Sequence, residues 1–350
     1  MDITRVAVLG AGGLGRAACR IIAMKRELRL TAICDSRGIV VSPDGLDAGF
    51  LGAGSGDVVD SYRATGVHAQ AQASEGLRGG TAVAAPVIAE HRDDALGGIL
   101  EHADAYDAVL ITLPNMPNEF IPSTVERFVA RARGLVFVDV LKRTKAVEQL
   151  LDLDDAVRAA GSVVLTGCGA TPGLLTAAAV LAAQSFIEVE RVDIWWGVGI
   201  ANWEAYRATI REDIAHMPGY SVERAKAMTD AEIDAFLDQT NGVLELHQME
   251  HADDLLLQRV GVVESMDQVE VGGVMDTRCA KKPVSTTMTL TGITFEGKRS
   301  SHRFILGDET TMAANVIGPA LGYLKRALWL KDRQICGVFG STEFLPMIVR

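Results

Sequence analysis

A glycine-rich turn between a strand pattern and a helix pattern constrains the fold of this 350-residue chain more than any other feature. Residues 5–10 form a short apolar, β-branched run, and residues 14–24 have the apolar spacing of a helix. The turn between them reads Gly10-Ala-Gly-Gly-Leu-Gly15. A second apolar run leads into Asp35, 20 residues after Gly15. This order predicts a complete βαβ unit that ends in an acidic residue.

Strand and helix patterns continue to alternate along the chain, which predicts a parallel, doubly wound sheet of the Rossmann type. The predicted strands lie at 107–113, 135–139 and 162–166, and the predicted helices at 119–133 and 145–160. Residues 36–100 are rich in Gly, Ala, Ser and Asp, and we predict loops and short helices there. The first part of the chain is therefore predicted to be α/β.

The character of the sequence changes after Gly173, where charged amphipathic segments follow. Alternating patterns at 285–295 and 300–306 flank a Glu-Gly-Lys turn, which predicts a hairpin on an antiparallel sheet in a second α+β domain. We predict three parts, with the active site in the cleft between the domains. They are a dinucleotide-binding domain over 1–142, a substrate and dimerisation domain over 143–310, and a helix and strand over 311–350 that return toward the first domain.

The glycines of the first turn point to a bound dinucleotide. Gly10 permits the tight turn, Gly12 lets the backbone approach a pyrophosphate, and Gly15 allows close packing of the helix on the strand. Asp35 would accept hydrogen bonds from ribose hydroxyls and favours NAD, whereas Arg37 could pair with the 2′-phosphate of NADP. We predict NAD or NADP as the cofactor, with NAD favoured. The residues predicted to bind it here are Gly10, Ala11, Gly12, Gly13, Leu14, Gly15, Asp35, Ser36 and Arg37.

Three later segments lie at predicted strand ends. The first segment either borders the nicotinamide ribose or forms an ordinary turn, and it consists of Leu113, Pro114 and Asn115. Lys142 is the predicted catalytic residue, since a lysine beside a cofactor can polarise a carbonyl or imine or move a proton; the alternative is a solvated lysine at a helix start. Gly169, in the glycine-rich loop 167–173, could present amides to the cofactor or to a substrate carboxylate.

Other candidate residues carry weaker signals. Cys168 has no histidine near it in sequence, which favours a buried free thiol over a nucleophile. The segment His247-Gln-Met-Glu-His251 matches an inverted zinc signature, but no third ligand is identifiable and we predict no metal site. Six residues of the second domain either form a cationic, aromatic-lined pocket for a carboxylate substrate or serve only in packing and at the surface. The residues of that pocket would be Trp195, Trp196, Arg207, Arg211, Lys281 and Lys282.

Composition limits the partners. The chain has 45 acidic and 34 basic residues, and this net charge of −11 disfavours nucleic acid or an anionic membrane. Five cysteines without a CxxC pair favour a reducing compartment. The first residues lack a basic region followed by an apolar stretch, and no apolar run reaches the roughly 20 residues that span a bilayer. We expect a cytoplasmic protein that forms a homodimer or homotetramer.

Four segments together resemble the saccharopine-dehydrogenase-like oxidoreductases. They are Val8 to Gly15, Thr112-Leu-Pro114, Gly167 to Gly173, and Thr311-Met-Ala-Ala314. Residues 33–38 and 42–47 are similar to the cofactor domain of homoserine dehydrogenases, which have an active-site lysine where Lys142 lies. The resemblance implies NAD(P)-dependent hydride transfer at an amino- or hydroxyl-bearing carbon of an amino-acid-like substrate. Two alternatives stay open, namely a homoserine-dehydrogenase-like alcohol oxidation and a non-catalytic NAD(P)-binding sensor.

Overall fold

The computed structural model describes residues 3–64, 87–115, 117–200, 203, 207, 210–307 and 311–350. The chain divides into two compact units, Met1–Gly173 with Ala313–Arg350, and Leu174–Met312. Residues 143–173, placed in the second domain by the sequence analysis, lie in the first unit, as does the C-terminal segment.

Helices and strands are numbered along the described chain. The strands are β1 (Thr4–Leu9), β2 (Leu28–Cys34), β3 (Gly38–Val41), β4 (Ile88–His91), β5 (Ala108–Ile111), β6 (Val136–Asp139), β7 (Val163–Thr166), β8 (Phe186–Gly199), β9 (Val243–Leu246), β10 (Val269–Asp276), β11 (Thr287–Thr294), β12 (Arg299–Ile305) and β13 (Gly337–Gly340). The helices are α1 (Gly13–Ile22), α2 (Ala48–Ala53), α3 (Val58–Arg63), α4 (Ala95–Glu101), α5 (Phe120–Val129), α6 (Thr144–Leu151), α7 (Asp154–Ala159), α8 (Leu174–Ala183), α9 (Ile210–Ile214), α10 (Val222–Ala227), α11 (Asp230–Gln239), α12 (Asp253–Arg259) and α13 (Met312–Lys331).

The first unit is built on an eight-stranded sheet in the order β13-β7-β6-β5-β1-β2-β3-β4. The pairs from β13 to β2 are parallel. Strands β5, β6 and β7 are buried along their whole length, as expected of parallel strands that are covered on both faces. This architecture confirms the predicted α/β class with a doubly wound sheet.

Helices α1 and α13 contribute to the core of the first unit. Ala17, Ala18 and Ile22 of α1 are buried in the same apolar cluster as Ile317 and Leu321 of α13. The small side chains of α1 let its axis lie close to the sheet. The long C-terminal helix is therefore part of the same core as β1.

The prediction of loops and short helices over residues 36–100 is wrong in part. Strands β3 and β4 extend the sheet beyond β2 and are antiparallel. The segment Gly38-Ile-Val-Val41 is entirely buried, so its short apolar, β-branched run was the available strand signal. Residues 65–86 of that region lie outside the described residues.

The second unit contains a five-stranded sheet in the order β12-β11-β8-β10-β9. The hairpin of β11 and β12 confirms the predicted antiparallel element. Strand β10 was not predicted, and it pairs parallel to β8 and antiparallel to β9. One face of the sheet is buried in an apolar core that includes Val192, Ile194 and Leu290.

Among the described residues, no helix combines the length and the apolar character that a membrane crossing requires.

Candidate active site at the carboxyl edge of the first sheet

The carboxyl ends of neighbouring parallel strands meet at one edge of the first sheet. Leu9 of β1 pairs with Ile111 of β5, and Ile111 pairs with Asp139 of β6. Strand β7, which ends at Thr166, is the next neighbour. In open α/β sheets, ligands bind outside this edge. The predicted residues of the glycine turn, the Thr112 segment, Lys142 and the loop after β7 all follow these strand ends.

Backbone packing explains two glycines of the first turn. Gly10 has a φ of +100°, and a Cβ atom there would stand 2.7 Å from the carbonyl oxygen of Thr112. A Cβ atom on Gly15 would stand 1.7 Å from the carbonyl oxygen of Gly10. Gly12 and Gly13 have open space around them. Gly10 and Gly15 are thus required by the fold itself, whatever the turn binds.

The carboxylate of Asp35 is engaged by the backbone of its own unit. One oxygen accepts hydrogen bonds from the amides of Arg37 at 2.8 Å and Gly38 at 3.1 Å, and the other accepts one from Val58 at 2.7 Å. These bonds fix the turn between β2 and β3 and the start of α3. Arg37 is exposed, as is Ser36.

The segment after β5 contacts the glycine turn. The hydroxyl of Thr112 donates to the carbonyl oxygens of Leu9 and Gly10, at 3.0 and 2.8 Å as alternative acceptors. Leu113 and Asn115 are half-buried and Pro114 is exposed beyond this contact. The structure therefore brings both predicted segments to the same edge.

A fully buried carboxyl group lies at the end of β6. Oδ1 of Asp139 accepts hydrogen bonds from the Leu141 amide at 3.0 Å, the Thr166 hydroxyl at 3.1 Å and the Gly167 amide at 2.9 Å. Oδ2 has no hydrogen-bond partner among the described residues. Burial raises the pKa of Asp139 to about 6, against the opposing effect of its three donors. Asp139 is not among the residues predicted for the site, although a lone carboxyl group at the end of an apolar strand was a signal for it.

Lys142 lies three residues beyond Asp139 and is half-buried. No hydrogen bond or ion pair joins its amine to another residue within the described part of the chain. The residues on either side of it are fixed: the side chain of Leu141 is buried, and the guanidinium of Arg143 donates to Asn118 at 2.8 Å. Lys142 thus presents a free amine from a well-anchored segment at the sheet edge.

The loop after β7 folds tightly on itself. Gly169 forms an isolated bridge with Gly173, whose φ is +126° and whose Cβ would stand 2.0 Å from the Gly169 carbonyl oxygen. Cys168 is buried, and burial raises the pKa of its thiol well above its usual range. That shift disfavours the thiolate, in agreement with the expected inert cysteine. The amide of Cys168 donates to the carbonyl oxygen of Asp139 at 3.0 Å.

The residues of the predicted carboxylate pocket do not form one cluster within the second unit. Arg207 pairs with Asp234 and Arg211 with Asp230, while Trp196 is buried in the core. Trp195 instead lines a cavity of about 600 Å³ on the opposite face of the sheet. That cavity is lined by Asp193, Trp195, Val284, Ser285, Thr287, Thr289 and Arg303.

The HxxEH segment lies outside the described helices. His247 packs against Trp195, with ring centroids 5.1 Å apart. His251 is buried, and its Nδ1 is bonded to the carboxylate of Asp253. A separate group in the first unit, formed by Asp57, Asp60 and His91, offers ligand atoms within 4.8 Å of one another. Two of these three residues are exposed, and such acidic clusters are common on protein surfaces without a bound ion.

The fold and the site define an α/β protein of the Rossmann type with a free lysine at the carboxyl edge of its parallel sheet. Solved structures agree on the fold: DAP dehydrogenase from C. glutamicum in complex with DAP matches with a TM-score of 0.55 at 18% identity, covering 98% of this chain and 94% of that one. An engineered D-amino acid dehydrogenase bound to NADP+ matches with a TM-score of 0.54 at 15% identity, with coverage of 98% and 94%. At these identities the likeness concerns the fold alone.

Sequence comparison identifies the family. No family model matches the chain. The (S)-8-amino-7-oxononanoate synthase BioU of Haloferax mediterranei is 44% identical in an alignment 356 positions long, which covers 99% of each chain. The chain belongs to the family of this synthase, and it is therefore an enzyme.

Three predictions made from the sequence are wrong in light of this relative. The chain is not a member of the saccharopine-dehydrogenase-like family, and the predicted NAD(P)-dependent oxidoreductase activity is wrong, because the 44% identical relative is named as a synthase. The prediction of NAD or NADP as cofactor, made from the glycine turn with Asp35 and Arg37, is wrong as well, because the relative is a synthase and not a nicotinamide-dependent dehydrogenase. The residues predicted to bind that cofactor have no assigned ligand. The resemblance misled because glycine turns and strand ends specify a fold that carries many chemistries.

Proposed function

We propose that this enzyme is a synthase of (S)-8-amino-7-oxononanoate. The observation that supports this proposal is the 44% identity to the Haloferax mediterranei synthase along 99% of both chains. The molecule carries a carboxylate at one end of a nine-carbon chain, and a ketone beside an amine near the other. It is amino-acid-like, as we expect of the small molecules that this enzyme handles.

Lys142 is the residue that we propose to act on the carbonyl group. A ketone carbon is electrophilic, and an amine attacks it to form an imine with loss of water. Lys142 offers such an amine, since it is half-buried at the carboxyl edge of the sheet and unpaired among the described residues.

The product is the direct probe of this proposal, because a synthase binds its own product. Titration with the (S) enantiomer should raise the melting temperature, since a ligand that binds only the folded state stabilises it. The (R) enantiomer is the matched control and should act only at higher concentration. If neither enantiomer shifts the melting temperature, the proposed function is wrong.

Borohydride trapping tests the lysine. Reduction of an imine between Lys142 and the 7-oxo group leaves a stable secondary amine, and the chain gains the mass of the ligand less one oxygen atom. Peptide mapping should place this mass on Lys142. Labelling spread over exposed lysines such as Lys145 would contradict the assignment.

We further propose that the enzyme is a homo-oligomer that associates through the second sheet. The face of that sheet opposite its core carries the cross-strand row of Trp195, Thr287 and Ile305. Ile305 is 57% exposed, so this row offers apolar surface that a second copy of the chain would cover. Light scattering should give a mass above that of one chain, and Ile305→Asp should lower it.

The control is Phe295→Asp at the end of the hairpin, where Phe295 is 69% exposed, and this variant should leave the mass unchanged. A wild-type protein that stays monomeric contradicts the proposal.

A further inference from the structure

We infer that Asp139 is a positioning residue for Lys142, holding through one carboxyl oxygen the backbone segment that presents the lysine amine. The inference rests on the proposed role of Lys142. It concerns a residue that does not itself touch the reacting atoms.

The geometry around Asp139 joins two loops at a single atom. Oδ1 accepts the amide of Leu141, in the loop that follows β6, and the amide of Gly167, in the loop that follows β7. The backbone carbonyl of Asp139 accepts the amide of Cys168 as well. The direction of the chain at Leu141 is thereby tied to the neighbouring strand. Lys142, the next residue, projects from a backbone whose path is set by Asp139.

The surroundings of the second oxygen, Oδ2, indicate that Asp139 does more than stabilise the fold. Oδ2 is completely buried without a hydrogen-bond partner among the described residues, and an unsatisfied buried carboxyl oxygen destabilises a fold. The titratable group that interacts electrostatically with Asp139 is the buried thiol of Cys168, which in turn interacts with the phenol of Tyr323. No cation among the described residues pairs with Oδ2. A buried polar atom without a partner needs an explanation in a folded protein, and a role in the site provides one.

Three variants separate positioning from general stability. Asp139→Asn keeps the acceptor oxygen and should preserve the geometry. Asp139→Ala removes the acceptor for Leu141, Thr166 and Gly167 together. Thr166→Val is the matched control, because it removes one buried hydrogen bond to Oδ1 and leaves the Leu141 bond intact. Each variant is first shown to be folded by its melting transition.

The rate of borohydride trapping of the (S) ligand on Lys142 is the functional readout. We expect Asp139→Ala to lower the maximal trapping rate by about 100-fold, because a misplaced reacting group loses its favourable geometry. The half-saturating ligand concentration should change by less than about threefold, since Asp139 does not touch the ligand. Asp139→Asn should retain most of the rate, and Thr166→Val should behave like the wild type. Equal losses in Asp139→Ala and Thr166→Val, or a loss in Asp139→Asn as large as in Asp139→Ala, would overturn the inference.

Amide hydrogen exchange tests the same geometry without any ligand. Asp139→Ala should speed exchange at Leu141 by about tenfold or more, and Asp139→Asn should not, since local opening becomes easier when the acceptor is lost. Unchanged exchange at Leu141 in Asp139→Ala would overturn the inference. If the wild-type enzyme neither binds nor traps the (S) ligand, the proposed function fails, and the exchange result still decides whether Asp139 holds the segment.

Discussion

Gly15 lies directly against Gly10, so that a Cβ atom on Gly15 would stand 1.7 Å from the carbonyl oxygen of Gly10 and 2.9 Å from the hydroxyl of Thr112. The shortest contact at the start of α1 is therefore with backbone atoms of Gly10, which cannot move aside as a flexible side chain can. This contact accounts for a glycine-rich turn without reference to a ligand. The turn is therefore weak evidence for a bound dinucleotide, which is why the cofactor prediction made from it was wrong.

Replacing Gly15 by alanine should destabilise the first unit by about 3 kcal/mol or more, because overpacking against a rigid backbone must shift the helix or the strand. Urea denaturation measures the change. Gly13→Ala is the matched control: it lies in the first turn of the same helix with nothing within 4 Å of its added Cβ, so its effect should stay within about 0.5 kcal/mol. Similar losses in the two variants would mean that the close contact is not what requires glycine.

Substituting Lys142 by methionine should abolish trapping of the (S) ligand, a loss of about 100-fold or more, while leaving the free energy of unfolding nearly unchanged. The side chain makes no polar contact with any described residue, so its removal costs little folding energy. Lys145→Met, in the first turn of α6 and exposed, should keep full trapping. Trapping that persists in Lys142→Met would assign the chemistry to another amine.

Much of the first unit could be predicted from the sequence because its parallel strands are continuous apolar runs. The second sheet was harder, and β10 shows why. It reads Val-Glu-Val-Gly-Gly-Val-Met-Asp, and two central glycines are unfavourable in a strand. The structure explains them by packing, since a Cβ atom on Gly272 would stand 2.8 Å from the ring of Trp195, and one on Gly273 would stand 2.4 Å from that of Trp196. Such a requirement comes from a distant strand and is invisible to local periodicity.

That the candidate residues share one edge of the sheet was predictable from the sequence, whereas the reaction class was not. Strand ends brought the glycine turn, Lys142 and the loop after β7 to one edge, because parallel strands share a carboxyl edge. Asp139 was missed because its importance depends on three donors, namely the Thr166 hydroxyl at the end of β7 and one amide from each of two loops. The reaction class was wrong because a fold of this type does not determine what is bound at its edge.

Removing the hydroxyl of Tyr323 should cost about 1 to 2 kcal/mol of stability. This side chain is fully buried on α13, and its hydroxyl donates to the Ser341 carbonyl oxygen at 2.8 Å, so Tyr323→Phe leaves a buried acceptor with one donor fewer. Thermal denaturation measures the loss. Trapping on Lys142 should be unaffected, since the phenol makes no hydrogen bond to the Lys142 segment. A loss of trapping without a loss of stability would place Tyr323 in the site instead.

The stability of the enzyme should depend on pH through Asp139, with a sign opposite to that of a carboxylate held by a cation. Its pKa in the folded state, about 6, lies above the value near 4 of an unfolded aspartate. Between these values the folded state binds more protons than the unfolded chain, so the stability contributed by this group falls as pH rises and levels off above pH 6 or so. Two pKa units correspond to about 3 kcal/mol.

Asp139→Asn cannot titrate, so the stability of the wild type relative to this variant should decrease by roughly that amount between about pH 4 and 7 in urea denaturation. A relative stability that is flat or increases with pH would show that Asp139 is ionised throughout and that its burial does not raise its pKa.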